Sequence, residues 1–176
     1  MKKLMITALM LIGVGISASA QNWGLGVNLG YGNDVSKPSF GIKALYDINE
    51  EFTLAPSLNF YLPETESASS GGASLEAELK CWDINADVHW NFYNTNKGKL
   101  YPLAGVSYFN AKISGKASAG GQKESASESE GKFGINLGFG GQMNLSEKWV
   151  ASAEIKYQII EEFKQFVPSL SLIYKF

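Results

Sequence analysis

Apolar and polar residues alternate with a period of two along most of the chain. The clearest case is the segment 79–93, where the even-numbered residues 82–92 are all apolar and the odd-numbered residues 83–91 are all polar. Successive side chains of a β-strand point to opposite faces of its sheet, so this segment predicts a strand with one apolar and one polar face. A helix would scatter the same residues around its circumference and bury carboxylates.

The same alternation recurs in six more segments and, less regularly, in a seventh. The regular apolar faces fall within 23–31, 40–46, 52–60, 133–143, 149–157 and 166–176. In the less regular segment, 100–113, one parity holds Tyr101, Leu103 and Phe109 and the other holds Pro102, Val106 and Tyr108, so its outward face is left open. The pattern predicts an all-β fold of eight antiparallel strands, the even number expected of a bacterial up-and-down barrel.

The connections between these strands are predicted to alternate in length. Short turns are expected at 49–51, 94–99 and 146–148, longer loops at 32–39, 62–78 and 114–131, and an intermediate one at 160–165. Short turns on the periplasmic side, with both termini, and longer loops outside are typical of outer-membrane barrels. The stretch 116–132 has no aromatic or branched apolar residue, so we expect it to be a mobile loop.

The first 20 residues differ from the rest of the chain. Lys2 and Lys3 precede an apolar run, 4–16, and Ala18-Ser19-Ala20 follows as an Ala-x-Ala ending. This is the layout of a secretory signal peptide, and the run is short of the roughly 20 residues that a spanning helix needs. We therefore expect cleavage after Ala20, with a barrel domain over residues 21–176.

Alternation alone also fits a soluble, lipocalin-like barrel with its apolar face inward. The aromatic residues near the strand ends instead match the two interfacial girdles of a barrel in lipid. The polar faces are rich in glycine and mixed in charge, which suits the crowded interior of eight strands. A paired polar core is expected from the following interior residues. They are Lys43, Asp47, Asp83, Asp87, His89, Glu154 and Lys156.

The C-terminal strand carries a resemblance to a known family. Leu170, Leu172, Tyr174 and Phe176 occupy alternate positions and end the chain in an aromatic residue. In this the sequence resembles the small porin-like outer-membrane proteins, including those called outer-membrane protein β-barrel domains, and so does the phrase at 100–106, Leu-Tyr-Pro-Leu-Ala-Gly-Val. The resemblance implies that the insertion machinery reads the strand ending at Phe176.

Composition narrows the possible partners. Without Lys2 and Lys3, the chain carries 13 basic residues (15 − 2) against 17 acidic ones, and every basic residue is a lysine. The absence of arginine forks and of a basic patch argues against nucleic acid as a partner. Cys81 is the single cysteine, so no intramolecular disulfide can form, and we expect an inward, buried thiol.

Few residues suggest chemistry, and no catalytic, cofactor-binding or metal-binding residue is predicted. His89 is the only histidine, and its parity turns it inward, where a hydrogen bond to Asp87 or a neighbour is expected. Asp83 and Asp87 share a face, but four residues on a strand separate them by roughly 13 Å, too far to share one ion. We expect them to pair with Lys43 and Lys156.

The sequence thus predicts a non-enzymatic outer-membrane barrel in contact with lipid, with a structural role or with long loops available to an extracellular partner. Three alternatives stay open. The first is passage of a small or apolar solute by a narrow or lateral route, which the glycine-rich interior suggests. The others are a lipid-modifying barrel enzyme that uses His89 and a soluble, ligand-binding barrel of the periplasm.

Overall fold

The computed structural model describes residues 22–70, 73–119 and 122–176. The expected signal peptide lies outside these residues and stays a prediction. The described residues form ten strands: β1 (Trp23–Gly32), β2 (Lys37–Asp47), β3 (Phe52–Tyr61), β4 (Glu64–Ser70), β5 (Ala73–Trp90), β6 (Tyr93–Thr95), β7 (Gly98–Ala119), β8 (Gln122–Asn144), β9 (Trp149–Ile160) and β10 (Lys164–Lys175). No helix among the described residues is long and apolar enough to cross a membrane.

Eight of these strands close into an antiparallel barrel, as the sequence predicts. β1, β2, β3, β5, β7, β8, β9 and β10 each pair with the next in that order. The first and last strands then pair with each other, from Gly24 opposite Lys175 to Gly30 opposite Ser169. Every strand of the closed wall therefore has two hydrogen-bonded neighbours, and the wall has no open sheet edge.

The apolar faces point outward and the polar faces point inward. Val27 is 59% exposed, whereas Lys43 and Asp87 are buried inside the barrel. In β7, where the sequence left the outward face open, Tyr101 and Leu103 are buried and Val106 is exposed on the outer side. A barrel in lipid needs an apolar exterior, whereas a soluble barrel exposes a polar one. The observed arrangement therefore fits a barrel that spans a membrane.

Aromatic rings form two belts around the exterior. The belt far from the termini, which we call the outer aromatic belt to distinguish it from the inner belt near the termini, includes the ring pairs Phe40–Phe60, Trp82–Tyr108, Tyr108–Phe133 and Tyr157–Phe166, with centroids 6.1, 5.7, 5.1 and 4.7 Å apart. The belt near the termini includes the pairs Trp23–Tyr46, Phe92–Phe139 and Trp149–Tyr174, at 4.7, 6.1 and 5.3 Å. These two belts mark the interfacial girdles that the strand ends predict.

The connections near the termini are short, as expected, but the prediction of longer loops at the opposite end is wrong. The connection predicted at 32–39 is a tight turn between β1 and β2, with Ser36 at a φ of 52°. The segments predicted as loops at 62–78 and 114–131 are mostly paired strands. Their Ser-, Ala- and Glu-rich composition indicates little apolar burial, yet an antiparallel ladder still satisfies the backbone groups of each segment.

These paired segments form a four-stranded extension that we call the outer sheet. It consists of β4, residues 73–80 of β5, 112–119 of β7 and 122–133 of β8. One row of its register runs across all four strands, through Glu64, Leu79, Ile113 and Glu128. The outer sheet continues one side of the barrel wall past the outer aromatic belt, while tight turns join β1 to β2 and β9 to β10 on the other side.

Candidate functional site: the barrel interior and the outer sheet

Two ion pairs cross the interior of the barrel. Lys43 of β2 pairs with Glu154 of β9, and the Nζ atom of Lys156, also on β9, lies 3.0 Å from Oδ2 of Asp87 on β5. β9 is hydrogen-bonded to neither β2 nor β5, so both pairs span the interior rather than follow the wall. All four side chains are buried, and each charge has the partner that burial demands.

Amide side chains link the rest of the interior. Asn28 donates to Asn59 at 2.7 Å, and Asn59 donates to Asp83 at 2.8 Å. Asn136 donates both to Asp87, at 2.7 Å, and to Asn85, at 2.9 Å. Side chains from strands on different sides of the wall therefore meet across the interior, as expected for a barrel of eight strands.

His89 lies inside this network, as its parity predicts, but its contacts differ from the prediction. The imidazole ring stacks on Tyr101 with centroids 4.0 Å apart and planes inclined by 5°. Its Nε2 atom is 3.6 Å from Oε1 of Glu154, and neither ring nitrogen has a hydrogen-bond partner among the described residues. The predicted hydrogen bond to Asp87 or a neighbour is wrong, and the carboxylate of Asp87 instead contacts Lys156 and Asn136.

The two interior aspartates have different partners. Asp87 pairs with Lys156, as predicted. Asp83 instead accepts hydrogen bonds from Asn59, from Asn85 and, at 2.7 Å, from the hydroxyl of Tyr61. The prediction that Asp83 pairs with a lysine is therefore wrong. The described residues contain no group of three or more His, Cys, Asp or Glu side chains that could hold a metal ion.

Cys81 is a buried free thiol, as predicted. It packs with Tyr61, Phe109 and Ile160 in an apolar cluster at the outer end of the interior. Leu79 and Phe163 pack against this cluster. The polar network below is thus covered by an apolar layer where the barrel meets the outer sheet.

The inner face of the outer sheet, which continues the interior face of the wall, joins apolar and acidic residues. Leu79 and Ile113 lie side by side in the middle of the sheet, and Ile113 is 60% exposed. Glu64 stands beside Leu79 on β4, and Glu128 stands beside Ile113 on β8. An apolar centre flanked by carboxylates is a surface that a partner can contact.

The opposite face of the outer sheet carries lysines and glutamates. Lys80 pairs with Glu78 at 2.8 Å, and Lys116 lies 3.5 Å from Glu76. The Lys80 ammonium, which hydrogen-bonds to Glu78, holds the pKa of that carboxyl below its usual value. Lys80 also stands directly opposite Lys112, which concentrates positive charge just beyond the aromatic belt.

Both lateral edges of the outer sheet are open within the described part of the chain. β4 pairs with β5 alone. β8 joins β9 only from Gly134, opposite Ile160, so its residues 122–133 pair with β7 alone. These edges present backbone N–H and C=O groups that no described strand occupies, whereas every strand of the barrel wall has two neighbours.

Sequence reasoning found the ionic residues of the interior but missed several functional features. The sequence does not predict whether Tyr101 points into the barrel. In the structure it does, because it stacks on His89 and its hydroxyl donates a hydrogen bond to Glu154 at 2.8 Å. The outer sheet was missed entirely. Direct alternation of Ser with Glu or Ala through 124–130 was the available signal, since it continues the period of two.

Comparison with known proteins agrees with this architecture. No curated protein matches the chain in sequence. The crystal structure of Ail from Yersinia pestis in complex with the heparin analogue sucrose octasulfate is 20% identical, with a TM-score of 0.56, and the match covers 88% of this chain and 96% of that one. Neisserial surface protein A is 16% identical with a TM-score of 0.61, covering 88% and 97%.

A third solved structure, the N-terminal β-barrel domain of OprF from Pseudomonas aeruginosa, is 16% identical with a TM-score of 0.59, covering 89% of this chain and 98% of that one. At these identities the likeness concerns the fold alone. The family model of the outer membrane protein beta-barrel domain matches residues 6–176. The chain therefore belongs to the outer membrane protein beta-barrel family, and its place is the outer membrane of the cell.

Proposed function

We propose that this barrel is a non-enzymatic protein whose outer sheet makes contacts outside the cell. The single observation that carries the proposal is the continuation of β4, β5, β7 and β8 beyond the barrel as a sheet with two open edges. A membrane anchor by itself needs only strands that span the bilayer. The additional length of these four strands builds a surface that lipid does not contact.

An open sheet edge favours partners that add a strand. The free N–H and C=O groups along residues 122–133 of β8 can pair with an extended segment of another molecule. Main-chain pairing supplies affinity, and the side chains beside the edge supply specificity. Glu128 and Glu130 stand on the inner face at this edge, so an added strand that carries lysine or arginine on that face would meet carboxylates.

The lysines on the opposite face suggest one practical probe. The crystal structure of Ail contains the heparin analogue sucrose octasulfate. In this chain Lys80, Lys112 and Lys116 share one face of the outer sheet. Glu78 and Glu76 pair with Lys80 and Lys116, and Lys112 is in no ion pair among the described residues. Heparin is therefore one of the immobilised surfaces for a first adhesion assay, chosen because a sulfated sugar is attracted to a free lysine.

The interior supports the non-enzymatic part of the proposal. A lipid-modifying reaction would need its reactive group on the lipid-facing surface, whereas His89 is fully buried within the barrel and stacked on Tyr101. The ion pairs and amides that cross the interior also occupy the axial route that a polar solute would follow. Neither alternative function has a site as exposed as the outer sheet.

The last strand gives the barrel a further proposed partner, the barrel insertion machinery. Phe176 lies beyond β10, 58% exposed, with its ring edge-on to Tyr174 at 5.6 Å. Its N–H donates to the carbonyl of Trp23 at 3.1 Å, at the junction of the first and last strands. Because this ring lies where the first and last strands pair, the insertion machinery can contact it before those two strands pair.

Shortening one hairpin tests the contact function. Residues 115–126 are replaced by Asn-Gly, a two-residue turn that joins the directly opposed Ser114 and Ser127. Cells that produce the wild-type or the shortened barrel are compared for adhesion to heparin-coated beads, adhesion to epithelial monolayers and sedimentation of the cells themselves. The change removes residues 122–126 of the β8 edge but keeps Glu128 and Glu130, so we expect cells with the shortened barrel to adhere clearly less than cells with wild type.

A matched control places the same kind of turn at the other end of the barrel. Lys97→Gly creates Asn-Gly between Thr95 and Gly98 and leaves the outer sheet unchanged. It should adhere like wild type, and all forms should show equal heat-modifiable migration on gels, which reports a folded barrel. The proposal is wrong if the shortened barrel adheres as well as wild type, or if wild type adheres to none of the surfaces.

A further inference from the structure

The inner face of the outer sheet has an open space near its centre. A Cβ atom built on Gly115 would meet no atom within 4 Å beyond its own chain neighbours. Ala77 stands directly opposite Gly115 and is exposed. Leu79 and Ile113 form the next row of the same face toward the membrane. Two small residues beside two bulky apolar ones leave a shallow depression with an apolar wall on its lower side.

This depression continues the apolar layer that covers the outer end of the barrel interior. Leu79 and Ala111 pack against the buried cluster around Cys81. Ile113 follows Ala111 on the same face of β7 and is 60% exposed. These residues lie beyond the outer aromatic belt, so lipid does not cover them. An exposed apolar surface joined to a buried core is typical of a site that contacts another molecule.

Glutamates flank the apolar surface on both lateral strands. Glu64 of β4 and Glu130 of β8 each pair with a lysine already. Glu66 of β4 and Glu128 of β8 are exposed and belong to no ion pair among the residues that the structure describes. The unpaired negative charge of this face therefore lies on two opposite sides of the apolar centre.

The register of the strands sets the distance between these two glutamates. Glu66 shares a row with Ala126 of β8, which is two residues from Glu128. Three steps of about 4.8 Å between strands and one of about 7 Å along a strand place the two Cα atoms about 16 Å apart. Residues four positions apart in an extended peptide point to the same side and are about 13 Å apart. The flexible stems of two lysines span the remaining distance.

We propose that the inner face of the outer sheet binds an extended cationic peptide segment with the pattern Lys-x-Leu-x-Lys. Arginine can replace lysine, and another large apolar residue can replace leucine. The two ammonium groups pair with Glu66 and Glu128. The apolar side chain between them occupies the space beside Gly115, against Leu79 and Ile113. This assignment rests on the proposed contact function of the outer sheet and gives a partner to its face rather than to its edges.

Charge favours this class of partner over two others. A second copy of the chain would bring the same glutamates to the interface, so like charges would meet on both sides of the apolar centre. A sulfated polysaccharide would also meet carboxylates on this face, because Lys80, Lys112 and Lys116 lie on the opposite face of the sheet. A cationic segment with an apolar centre matches both features of the inner face.

Peptide binding to the purified barrel tests the assignment. The barrel is placed in phosphatidylcholine nanodiscs, and fluorescence anisotropy follows a labelled peptide that carries Lys-Ser-Leu-Ser-Lys between Gly-Ser flanks. A control peptide has the same composition in the order Ser-Lys-Leu-Lys-Ser, so its lysines are only about 7 Å apart and its leucine points away from them. Empty nanodiscs measure binding to lipid. We expect the first peptide to bind about fivefold more tightly than the second, because exposed ion pairs each give a modest gain.

Variants of the barrel locate the binding face. Gly115→Lys adds an ammonium group in the open space between the two carboxylates and should abolish binding. The double variant Glu66→Gln/Glu128→Gln should bind both peptides equally. Glu76→Gln removes a charge from the opposite face of the same sheet and should bind like wild type. Heat-modifiable migration confirms that each variant is folded.

Equal binding of the two peptides by wild type would overturn the proposal, and so would an unchanged preference in the glutamate double variant. A wild-type barrel that is dimeric in detergent, and that Gly115→Lys makes monomeric, would assign the face to a second copy of the chain instead. Failure of this assignment alone is recognisable. The two peptides would then bind equally, while cells would still lose adhesion when the hairpin 115–126 is shortened.

Discussion

Lys156 of β9 reaches across the barrel to Asp87 of β5, with 3.0 Å between Nζ and Oδ2. Two positions earlier on the same face of β9, Glu154 pairs with Lys43 of β2. One strand of the wall thus holds two opposite charges, and each is neutralised by a different part of the wall. Both ion pairs therefore connect strands that are not hydrogen-bonded to each other.

Removing one partner of the first pair should destabilise the barrel. Lys156→Met leaves the buried carboxylate of Asp87 without its cation, which we expect to cost about 3–5 kcal/mol in the free energy of unfolding. The double variant Asp87→Asn/Lys156→Met removes both charges and should lose much less. Urea-induced unfolding in lipid vesicles measures the stability of both variants. Equal stability of wild type and Lys156→Met would show that this ion pair does not stabilise the barrel.

The facing of most residues could be predicted from the sequence because lipid and a crowded interior impose opposite demands on alternate positions. Leu137 and Asn136 are neighbours in β8, yet one is exposed to lipid and the other is fully buried. β7 was ambiguous because its interior includes the apolar residues Tyr101, Leu103 and Phe109. Where both faces of a strand are apolar, the period of two loses its information.

The partners of the interior charges could be predicted only in part. Which side chains meet across a barrel depends on the stagger of strands far apart in sequence, and alternation does not contain that stagger. Asp83 therefore accepts hydrogen bonds from amide side chains and from Tyr61, and it does not pair with a lysine. The outer sheet was missed for a different reason, because its strands bury little apolar surface and resemble a loop in composition.

The polar interior should conduct ions poorly. The ion pairs and the amides of Asn85, Asn136 and Gln158 occupy the axis, and the apolar cluster around Cys81 covers them toward the outer sheet. A purified barrel in a planar bilayer should give currents close to the background of the bilayer. Stable single-channel steps well above background would show that the interior holds an open path.

A charge on the lipid face should be costly where the bilayer is most apolar. Leu137 is 50% exposed and lies on β8 between Phe133 of the outer belt and Phe139 of the inner one. Leu137→Lys should destabilise folding into vesicles by about 2–4 kcal/mol, whereas Leu137→Met should be close to neutral. If the two variants unfold at the same urea concentration, Leu137 does not face lipid.

The neighbouring glycine provides a test of the opposite face. A side chain at Gly138 would collide with the carbonyl of Ile155 on the adjacent strand. Gly138→Ala should therefore destabilise the barrel by about 1–3 kcal/mol through overpacking, although it adds no charge. Urea unfolding in the same vesicles measures this loss, and a barrel as stable as wild type would show that the interior has room there.

Thiol labelling distinguishes the interior from the outer sheet. Cys81 is buried, so a membrane-impermeant maleimide should not label it on intact cells and should label it after denaturation. In a Cys81→Ser background, Ser127→Cys places a thiol at an exposed position of the outer sheet, where labelling of intact cells should be rapid. Absence of labelling at position 127 would mean that the outer sheet does not face the outside.

Deletion of Phe176 should reduce assembly more than it reduces stability. We proposed that the insertion machinery recognises the terminal aromatic residue, and in the folded barrel the ring of Phe176 is exposed and contacts Tyr174. Recognition acts before folding, so the truncated chain should give little heat-modifiable barrel in the outer-membrane fraction. The same chain, refolded from urea into vesicles without any machinery, should have a free energy of unfolding within about 1 kcal/mol of the wild-type value, because an exposed ring buries little surface.

Phe176→Tyr keeps the terminal ring and should assemble normally. Normal outer-membrane levels of the truncated chain would remove Phe176 from the signal, and a large loss of stability after refolding would make its role structural.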